Sequence, residues 1–338
     1  MDKTFTSYQI EERSYVAYIK REIHQQVVKR HFKENKVAAI DIVVSEICSN
    51  LVKHAGSGEL LYRVTDINEN DRKFEIISLD KGPGIVDKIG MMKDGVSTTK
   101  TLGQGLGAIH RLSDDVELYT LVGTGTILYA SVRSEGDKSL PIKKRLFEWS
   151  DLFINKPREE VCGDGYRIKE TLSGVKVFFG DGLGHGKYAK EAVELAGDFF
   201  FASEDDDPVD MIRQMHEKVR RTRGLVGTIA VFNRQTSEWS ICGVGNIFTR
   251  LYTALNYKNY LPYNGTIGHN LPHSMSPSIF PVERNQRLIM CSDGLQTRWD
   301  LAKYPAILKY NTMILAAAIY RDFTRGNDDS SILILSVK

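Results

Sequence analysis

Four aspartates in the second half of the chain have the residue type and the setting of ligands for divalent cations. They are Asp164, Asp181, Asp293 and Asp328, and each stands at the end of an apolar, strand-like run. Hard carboxylate oxygens suit Mg²⁺ or Mn²⁺. Two such ions about 3.5–4 Å apart can clamp a phosphoryl group, and a hydroxide that bridges them can attack phosphorus. The pattern therefore predicts metal-dependent hydrolysis of a phosphate ester without a nucleophile from the protein.

A simpler explanation exists for each of these aspartates when it is taken alone. Asp164, Asp181 and Asp293 are each followed by glycine, and an Asp-Gly pair is typical of an ordinary turn. The combination is more specific than its parts. All four stand in one order, and the sequence DGLGHG, which starts at Asp181, leads into a predicted helix. Together these features favour a metal site over four unrelated turns.

A second group of residues, in the first half of the chain, has the chemistry of a nucleotide site. Glu46 and Asn50 are four positions apart on one predicted helix, so they share a face. An Asn carbonyl can bind the Mg²⁺ that bridges phosphates, and a nearby carboxylate can orient or deprotonate a hydroxyl. Asp80 follows a predicted strand and can accept a hydrogen bond from an adenine amino group. A solvated helix face and a plain turn are the alternatives.

The glycine-rich sequence GQGLG, at residues 103–107, precedes a predicted helix. Backbone amides at the N-terminus of a helix favour a phosphate group. Alone this pattern is weak, because it lacks the strand-then-turn context of a dinucleotide site or a P-loop.

Apolar periodicity predicts the elements that must position these residues. In the first half it predicts helices over 13–31 and 37–54 and from Gly105, and strands over 60–64, 74–79, 116–121 and 126–132. In the second half it predicts helices over 187–201, 208–221 and 311–323, and strands over 175–179, 228–232, 239–242, 288–291 and 331–336, with a long irregular loop over 257–281. The expected class is α+β, with an α/β sandwich followed by a β-sandwich whose helices pack outside the sheets.

Length and composition bound these expectations. A chain of 338 residues suits two domains, and the polar, proline-containing stretch 135–147 is the expected linker between domains 1–134 and 148–338. The net charge of +2, without a long basic run, argues against a nucleic-acid partner. The scattered cysteines argue against a disulfide framework or a zinc site. The sequence contains no apolar run that could span a bilayer, so we expect a cytoplasmic protein without membrane contact.

In the first half, the order of the motifs EICSNLVKHAG, DKGPGI, LGQGLG and GTGT resembles the GHKL (Bergerat-fold) ATPases, in particular the RsbT-like serine kinases. The resemblance covers residues 10–133. It implies that Asn50 binds Mg²⁺ with ATP, that Glu46 is the catalytic carboxylate and that Asp80 binds adenine. It further implies a nucleotide pocket made by Gly82, Gly84, Ser97, Thr98, Gly103, Gly105, Leu106, Gly107 and Thr126, with Ser97 and Thr98 in a lid over the phosphates.

In the second half, CGDGY, DGLGHGKYAKEA, GTIAVFN, GVGN, MCSDGL and NDDSSILIL resemble the PPM-type (protein phosphatase 2C class) phosphatases, especially SpoIIE-like and RsbX-like serine phosphatases. The resemblance covers residues 148–338 and implies an αββα sandwich. It implies that Asp181 bridges two Mg²⁺ or Mn²⁺ ions, Gly182 gives a carbonyl ligand, Asp293 and Asp328 complete the second site, and Asp164 coordinates directly or through water. Asp329 is expected to support the loop.

The resemblances imply a serine/threonine phosphatase joined to an ATP-binding module that either phosphorylates a partner or senses ATP. The expected partner is a phosphorylated STAS-domain protein of the anti-sigma-antagonist kind, and a homodimer is a further expectation. The alternative is a non-enzymatic partner switch, in which the first half only binds a regulator and the second half is a docking platform.

Overall fold

The computed structural model describes residues 4–86, 102–135, 147–253 and 256–337, without the side chains of residues 102–104. The chain forms two compact units. The first combines Met1–Lys143 with Tyr304–Arg321, and the second combines Lys144–Lys303 with Asp322–Lys338. The sequence predicted that residues 148–338 form one domain. By contact, however, Tyr304–Arg321 groups with the first unit.

The first unit packs helices against one face of an antiparallel sheet. Its helices are α1 (Arg13–Lys29), α2 (Glu34–Asn50) and α3 (Leu102–Leu112). Its strands are β1 (Thr6–Ile10), β2 (Gly58–Asp66), β3 (Arg72–Leu79), β4 (Asp115–Leu121) and β5 (Gly125–Arg133), in the order β1-β2-β3-β5-β4. The predicted helices and strands of this half are present, and β1 is an addition that the periodicity did not indicate.

Helical spacing of apolar side chains explains how α1 and α2 dock on this sheet. Ile19, Ile23 and Val27 of α1 are fully buried, and they recur four residues apart on one face. On α2, Val43 and Ile47 are buried in the same core. The remaining faces are free to carry polar groups, which allows α2 to present functional side chains beside its apolar stripe.

The second unit contains two antiparallel sheets, with helices α4 (Lys187–Ala202) and α5 (Pro208–Val219). One sheet has the order β13-β10-β9-β8-β7 and the other the order β12-β11-β14-β15-β6. The strands of the first are β7 (Asp164–Glu170), β8 (Gly174–Gly182), β9 (Leu225–Asn233), β10 (Glu238–Val244) and β13 (Ser278–Pro281). Those of the second are β6 (Phe147–Ile154), β11 (Phe248–Tyr252), β12 (Tyr257–Tyr260), β14 (Arg287–Cys291) and β15 (Ser330–Val337).

Aromatic side chains fill the space between these two sheets. Phe147 of β6 contacts Phe232 of β9, and Phe153 of β6 contacts Phe179 of β8, with ring centroids 5.1 and 5.6 Å apart. Helices α4 and α5 share a separate core with the outer face of β8 and β9. The predicted β-sandwich is therefore present. The predicted irregular loop 257–281 is wrong at its two ends, because β12 and β13 pair there with the edges of the sheets.

A sixth helix, α6 (Thr312–Phe323), follows β14 in the chain. Most of it belongs to the first unit by contact. None of the helices in the described ranges has the length and apolar content needed to cross a membrane. All four cysteines are free and buried, which agrees with a packing role.

Candidate functional site

Glu46 and Asn50 lie on one helix, α2, as the sequence predicted, and both are near Gly105 of the glycine-rich segment. A Cβ atom on Gly105 would lie 2.6 Å from Glu46 Oε2 and 3.9 Å from Asn50 Oδ1. Both side chains are only partly buried, so they border open space and not the core. Helix α3 approaches so closely here that a side chain at position 105 would displace the Glu46 carboxylate. This excludes the simpler interpretation of a fully solvated helix face.

The chain after Asn50 departs from ordinary helix geometry. Residues Leu51–Ala55 form a π-helical turn, a feature that is often found at functional sites. The turn ends beside the Asp80 loop, since a Cβ on Gly82 would lie 2.9 Å from the Ala55 Cα atom.

Asp80 is held by the backbone of two segments. Its Oδ1 atom accepts hydrogen bonds from the amides of Gly82, at 2.9 Å, and Thr126, at 3.1 Å. Its carbonyl oxygen accepts a hydrogen bond of 3.1 Å from Arg321 Nη1. Burial raises the pKa of Asp80, although the two amides and the charge of Arg321 act in the opposite direction. One carboxylate oxygen is thus used for structure, and Oδ2 makes neither of these two contacts.

The glycines predicted to line a nucleotide pocket lie on two segments, the Asp80 loop and helix α3. Gly84 has φ +73°, and its loop packs against the carbonyl of Leu121, so a side chain there would clash. Gly103, Gly105, Leu106 and Gly107 lie inside α3, which begins at Leu102. The prediction that the glycines precede the helix was therefore wrong, and at Gly105 the missing side chain leaves room for the Glu46 carboxylate of α2. Ser97 and Thr98 lie outside the described residues.

In the second unit, Asp164 and Asp181 are direct neighbours on paired strands. Strands β7 and β8 are antiparallel, and their register pairs Asp164 with Asp181. Residues that face each other in this way have Cβ atoms about 4.5–5.5 Å apart, and like charges in such a pair are destabilising. Asp164 is buried, and its Oδ2 atom has no hydrogen-bond partner. The fold thus holds two carboxylates together, and hydroxyl groups of neighbouring serines offset the repulsion at Asp164 only in part.

Asp293 and Asp328 add further negative charge at this place. Burial, the charge of Asp164 and then that of Asp293 raise the pKa of Asp181, and Asp328 contributes in the same direction. Burial also raises the pKa of Asp164, against the hydroxyl groups of the neighbouring serines. Four predicted site residues, distant in sequence, are therefore close enough to interact electrostatically.

Two residues hold the loops that carry these aspartates. Asp329 accepts hydrogen bonds of 2.7 Å from the amides of Gly163 and Lys156, which agrees with its expected supporting role. Asn246 Nδ2 donates to Asp293 Oδ2 at 3.0 Å. Asn246 ends the motif GVGN, which is part of the resemblance to the phosphatases, but the sequence predicted no role for this residue.

The donor set fits hard divalent cations, although it is not arranged as a closed metal site. In the described part of the chain, no three His, Cys, Asp or Glu side chains form a group that could hold a metal ion. The facing pair Asp164 and Asp181, with an orphaned buried oxygen on Asp164, is nevertheless a place where only a cation or a proton relieves the repulsion. Carboxylate oxygens of this kind select Mg²⁺ or Mn²⁺ over softer metals.

Comparisons with known proteins address the two halves separately. Residues 11–132 match the family model of the histidine kinase-like ATPase domain. Over 94 residues the chain is 38% identical to the serine/threonine-protein kinase RsbT of Bacillus subtilis, which covers 28% of this chain and 69% of that kinase.

The second half matches phosphatases. Over 145 residues the chain is 26% identical to the phosphoserine phosphatase RsbX of Bacillus subtilis, covering 42% of this chain and 71% of RsbX. A crystal structure of RsbX in complex with magnesium has the same fold, with a TM-score of 0.51 and 20% identity over 57% of this chain and 96% of RsbX. The chain belongs to the family of RsbT-like histidine-kinase-like ATPases, and it continues into a serine/threonine phosphatase domain of the protein phosphatase 2C class.

Proposed function

We propose that the second unit hydrolyses phosphoserine or phosphothreonine on a protein regulator, with two Mg²⁺ or Mn²⁺ ions. The observation that carries this proposal is the facing pair Asp164 and Asp181, whose charges no described side chain neutralises. Two buried carboxylates that repel each other bind a divalent cation favourably, because the cation removes the repulsion between them.

The residues of the chain have separate tasks in this reaction. Bound cations would supply Lewis acidity to the phosphoryl group and make a coordinated water more acidic. Asp164 and Asp181 would hold those cations from adjacent strands, with the Gly182 carbonyl and the carboxylates of Asp293 and Asp328. Asn246 orients Asp293 through its 3.0 Å hydrogen bond. None of these groups has to act as a covalent nucleophile.

The test is hydrolysis of p-nitrophenyl phosphate with Mn²⁺, for the full chain and for the Asp181→Asn variant. We expect Asp181→Asn to lose about 10³-fold in kcat/KM, because a metal ligand is removed. Asp198→Asn is the matched control, since Asp198 is an exposed carboxylate paired with Arg167 on the surface of the same unit. Absence of Mn²⁺-dependent hydrolysis by the full chain would refute the proposal.

We further propose that the first unit binds ATP with Mg²⁺ and phosphorylates the regulator that the second unit dephosphorylates. The position of Glu46 and Asn50 beside Gly105 supports an active nucleotide site. In an Asp181→Asn, Asp293→Asn background, which cannot remove the product, labelled phosphate from ATP should accumulate on the partner. Adding Glu46→Gln should abolish the transfer and leave ATP binding in place. If the background variant transfers no label to any candidate partner, the first unit is an ATP sensor or a binding module.

The partner we propose is a STAS-domain protein, phosphorylated on serine or threonine. The support is that two relatives in one organism, a kinase and a phosphoserine phosphatase, match the two halves of this single chain. A phosphorylated STAS protein should be dephosphorylated with higher kcat/KM than an unrelated phosphopeptide. The competing function is a partner switch without catalysis, which would bind the same protein with unchanged affinity after Asp181→Asn and release no phosphate. Homodimer formation stays a prediction, for measurement by analytical ultracentrifugation.

A further inference from the structure

Arg223 lies beside the loop that follows Asp181, and it has no role in the reaction proposed above. It lies in the short connection between α5 and β9, and its backbone is fixed on both sides. His269 Nε2 donates to the Arg223 carbonyl at 2.7 Å, and the Leu183 amide donates to the Gly224 carbonyl at 3.1 Å. The second hydrogen bond ties this connection to the loop that follows Asp181. The position of Arg223 relative to the aspartates is therefore set by the fold.

The side chain of Arg223 lies over the same loop. Its Nη1 atom is 2.9 Å from the place where a Cβ on Gly184 would stand, and its guanidinium carbon is 5.1 Å from the centre of the Tyr188 ring. Gly184 is two positions from Gly182, a distance of at most about 7 Å along an extended chain. The guanidinium therefore stands at the rim of the aspartate site, stacked on an aromatic ring that limits its freedom.

No described side chain neutralises this guanidinium through an ion pair or accepts a hydrogen bond from it. Glu159, whose carboxylate lies beside Gly186 of the same loop, is engaged with His185, at 2.6 Å between Oε1 and Nδ1. Arg223 itself is exposed. An arginine fixed at its backbone and stacked on a ring, with its donors free, is ready to bind an anion from solution.

We propose that Arg223 binds the phosphoryl oxygens of the substrate and positions the phosphate over the aspartates. This inference rests on the proposed phosphatase function. A phosphate monoester carries close to two negative charges near pH 7. The aspartates alone would repel it, and cations held by them would reverse this repulsion. The planar guanidinium can form two parallel hydrogen bonds to the outer oxygens, which fixes the orientation of the phosphorus atom.

The experiment compares Arg223→Ala and Arg223→Lys with Arg221→Ala, a control that removes an exposed arginine two positions away. With p-nitrophenyl phosphate, Arg223→Ala should lose about 10- to 100-fold in kcat/KM. Its inhibition constant for inorganic phosphate should rise by a similar factor, while the Mn²⁺ concentration for half-maximal activity stays the same. Arg223→Lys should recover part of the loss, because it restores the positive charge but not the two parallel hydrogen bonds of the planar guanidinium. Arg221→Ala should match the unchanged chain.

Three results separate the alternatives. If the unchanged chain hydrolyses nothing, the proposed function has failed, and phosphate binding measured by calorimetry in the presence of Mn²⁺ then decides the role of Arg223. If the unchanged chain is active and Arg223→Ala behaves like Arg221→Ala, the assignment of Arg223 is wrong. If Arg223→Ala weakens Mn²⁺ and phosphate equally, or lowers the melting temperature strongly, Arg223 supports the loop and does not bind substrate.

Discussion

Two buried cross-strand pairs, one in each unit, have the same geometry and opposite electrostatics. In the first unit, the β2–β3 register pairs Arg63 with Glu75, and Arg63 Nε donates to Glu75 Oε2 at 2.8 Å. In the second, the β7–β8 register pairs Asp164 with Asp181. Both are directly opposed residues of an antiparallel ladder. In the first pair the guanidinium and the carboxylate neutralise each other. In the second pair both groups are carboxylates, so a bound cation or proton is needed to neutralise them.

The surroundings of the two pairs reinforce the contrast. Burial alone would raise the pKa of Glu75, but Arg63 and Lys73 outweigh it and lower that pKa to about 2. The Tyr129 hydroxyl also donates to Glu75, at 2.8 Å. Around Asp181 the neighbouring groups are carboxylates, so their charges raise the pKa of Asp181 in the same direction as burial does. The same pairing of two strands therefore stabilises the fold when the facing side chains have opposite charges, and creates a candidate cation site when both are negative.

The largest effect should come from breaking the compensated pair. Arg63→Ala leaves Glu75 buried with Lys73 as its remaining cation, and we expect a loss of about 3–5 kcal/mol in the free energy of unfolding. Urea denaturation gives this value. The double variant Arg63→Met, Glu75→Leu removes both charges and should be less destabilised than Arg63→Ala. Equal losses in the two variants would mean that packing, including the Phe5 ring 4.3 Å from the guanidinium, outweighs charge.

The compensated pair should also make the first unit sensitive to acid. The folded-state pKa of Glu75, about 2, lies below its ordinary value of 4.5. A group whose pKa is lowered by folding adds stability above its ordinary pKa, and this stability is lost as the pH falls through the folded value. The contribution is on the order of 3 kcal/mol, lost as the pH falls from 4.5 to 2. Glu75→Gln should flatten this part of a stability-against-pH curve.

The uncompensated pair should respond to divalent cations instead. Mn²⁺ at 100 times its dissociation constant should stabilise the folded chain by about 2.7 kcal/mol, because the cation binds only the folded aspartate site. Thermal unfolding with Mn²⁺ or with chelator measures this difference. Asp181→Asn should remove most of it, and Asp198→Asn should keep it. A similar Mn²⁺ shift in Asp181→Asn would place the binding elsewhere.

The smallest expected effect is a gain in stability when one of the two facing aspartates loses its charge. With chelator present, Asp181→Asn should raise the free energy of unfolding by about 1 kcal/mol, because it removes one of two facing like charges. The same substitution removes activity. A variant that is more stable but inactive would show that the aspartate pair lowers stability and is kept for activity. A less stable variant would show instead that the Asp181 carboxylate makes contacts that stabilise the fold.

Local pattern was enough to predict the parts of each site that lie on one element. Glu46 and Asn50 were found from helical spacing, and helix α2 was predicted within a few residues of its ends. The motifs around Asp181 and Asp293 follow apolar strands, so their types and order carried the prediction. These signals are local, and local signals survive without knowledge of the fold.

Features that depend on pairing between distant strands could not be predicted. The short, mixed-polarity strand β7 has no clear alternation, so its register with β8, and hence the facing of Asp164 and Asp181, was not visible. Arg223 lies in a polar stretch with several other basic residues, and nothing in the sequence distinguishes it from Arg221. Its stacking on Tyr188 arises only when α4 and the β9 connection come together.

The segment Tyr304–Arg321 determines how this chain can be divided. In the first unit, the Tyr320 hydroxyl donates to Glu59 at 2.8 Å, and Arg321 donates to the Asp80 carbonyl at 3.1 Å. A fragment that ends at Lys143 would lack both donors, so Glu59 and the Asp80 carbonyl would lose these hydrogen bonds. A fragment that starts at Lys144 would carry Tyr320 and Arg321 without their acceptors. Division of the chain between Lys143 and Lys144 would therefore separate the first unit from the part of it that follows the phosphatase strands in sequence.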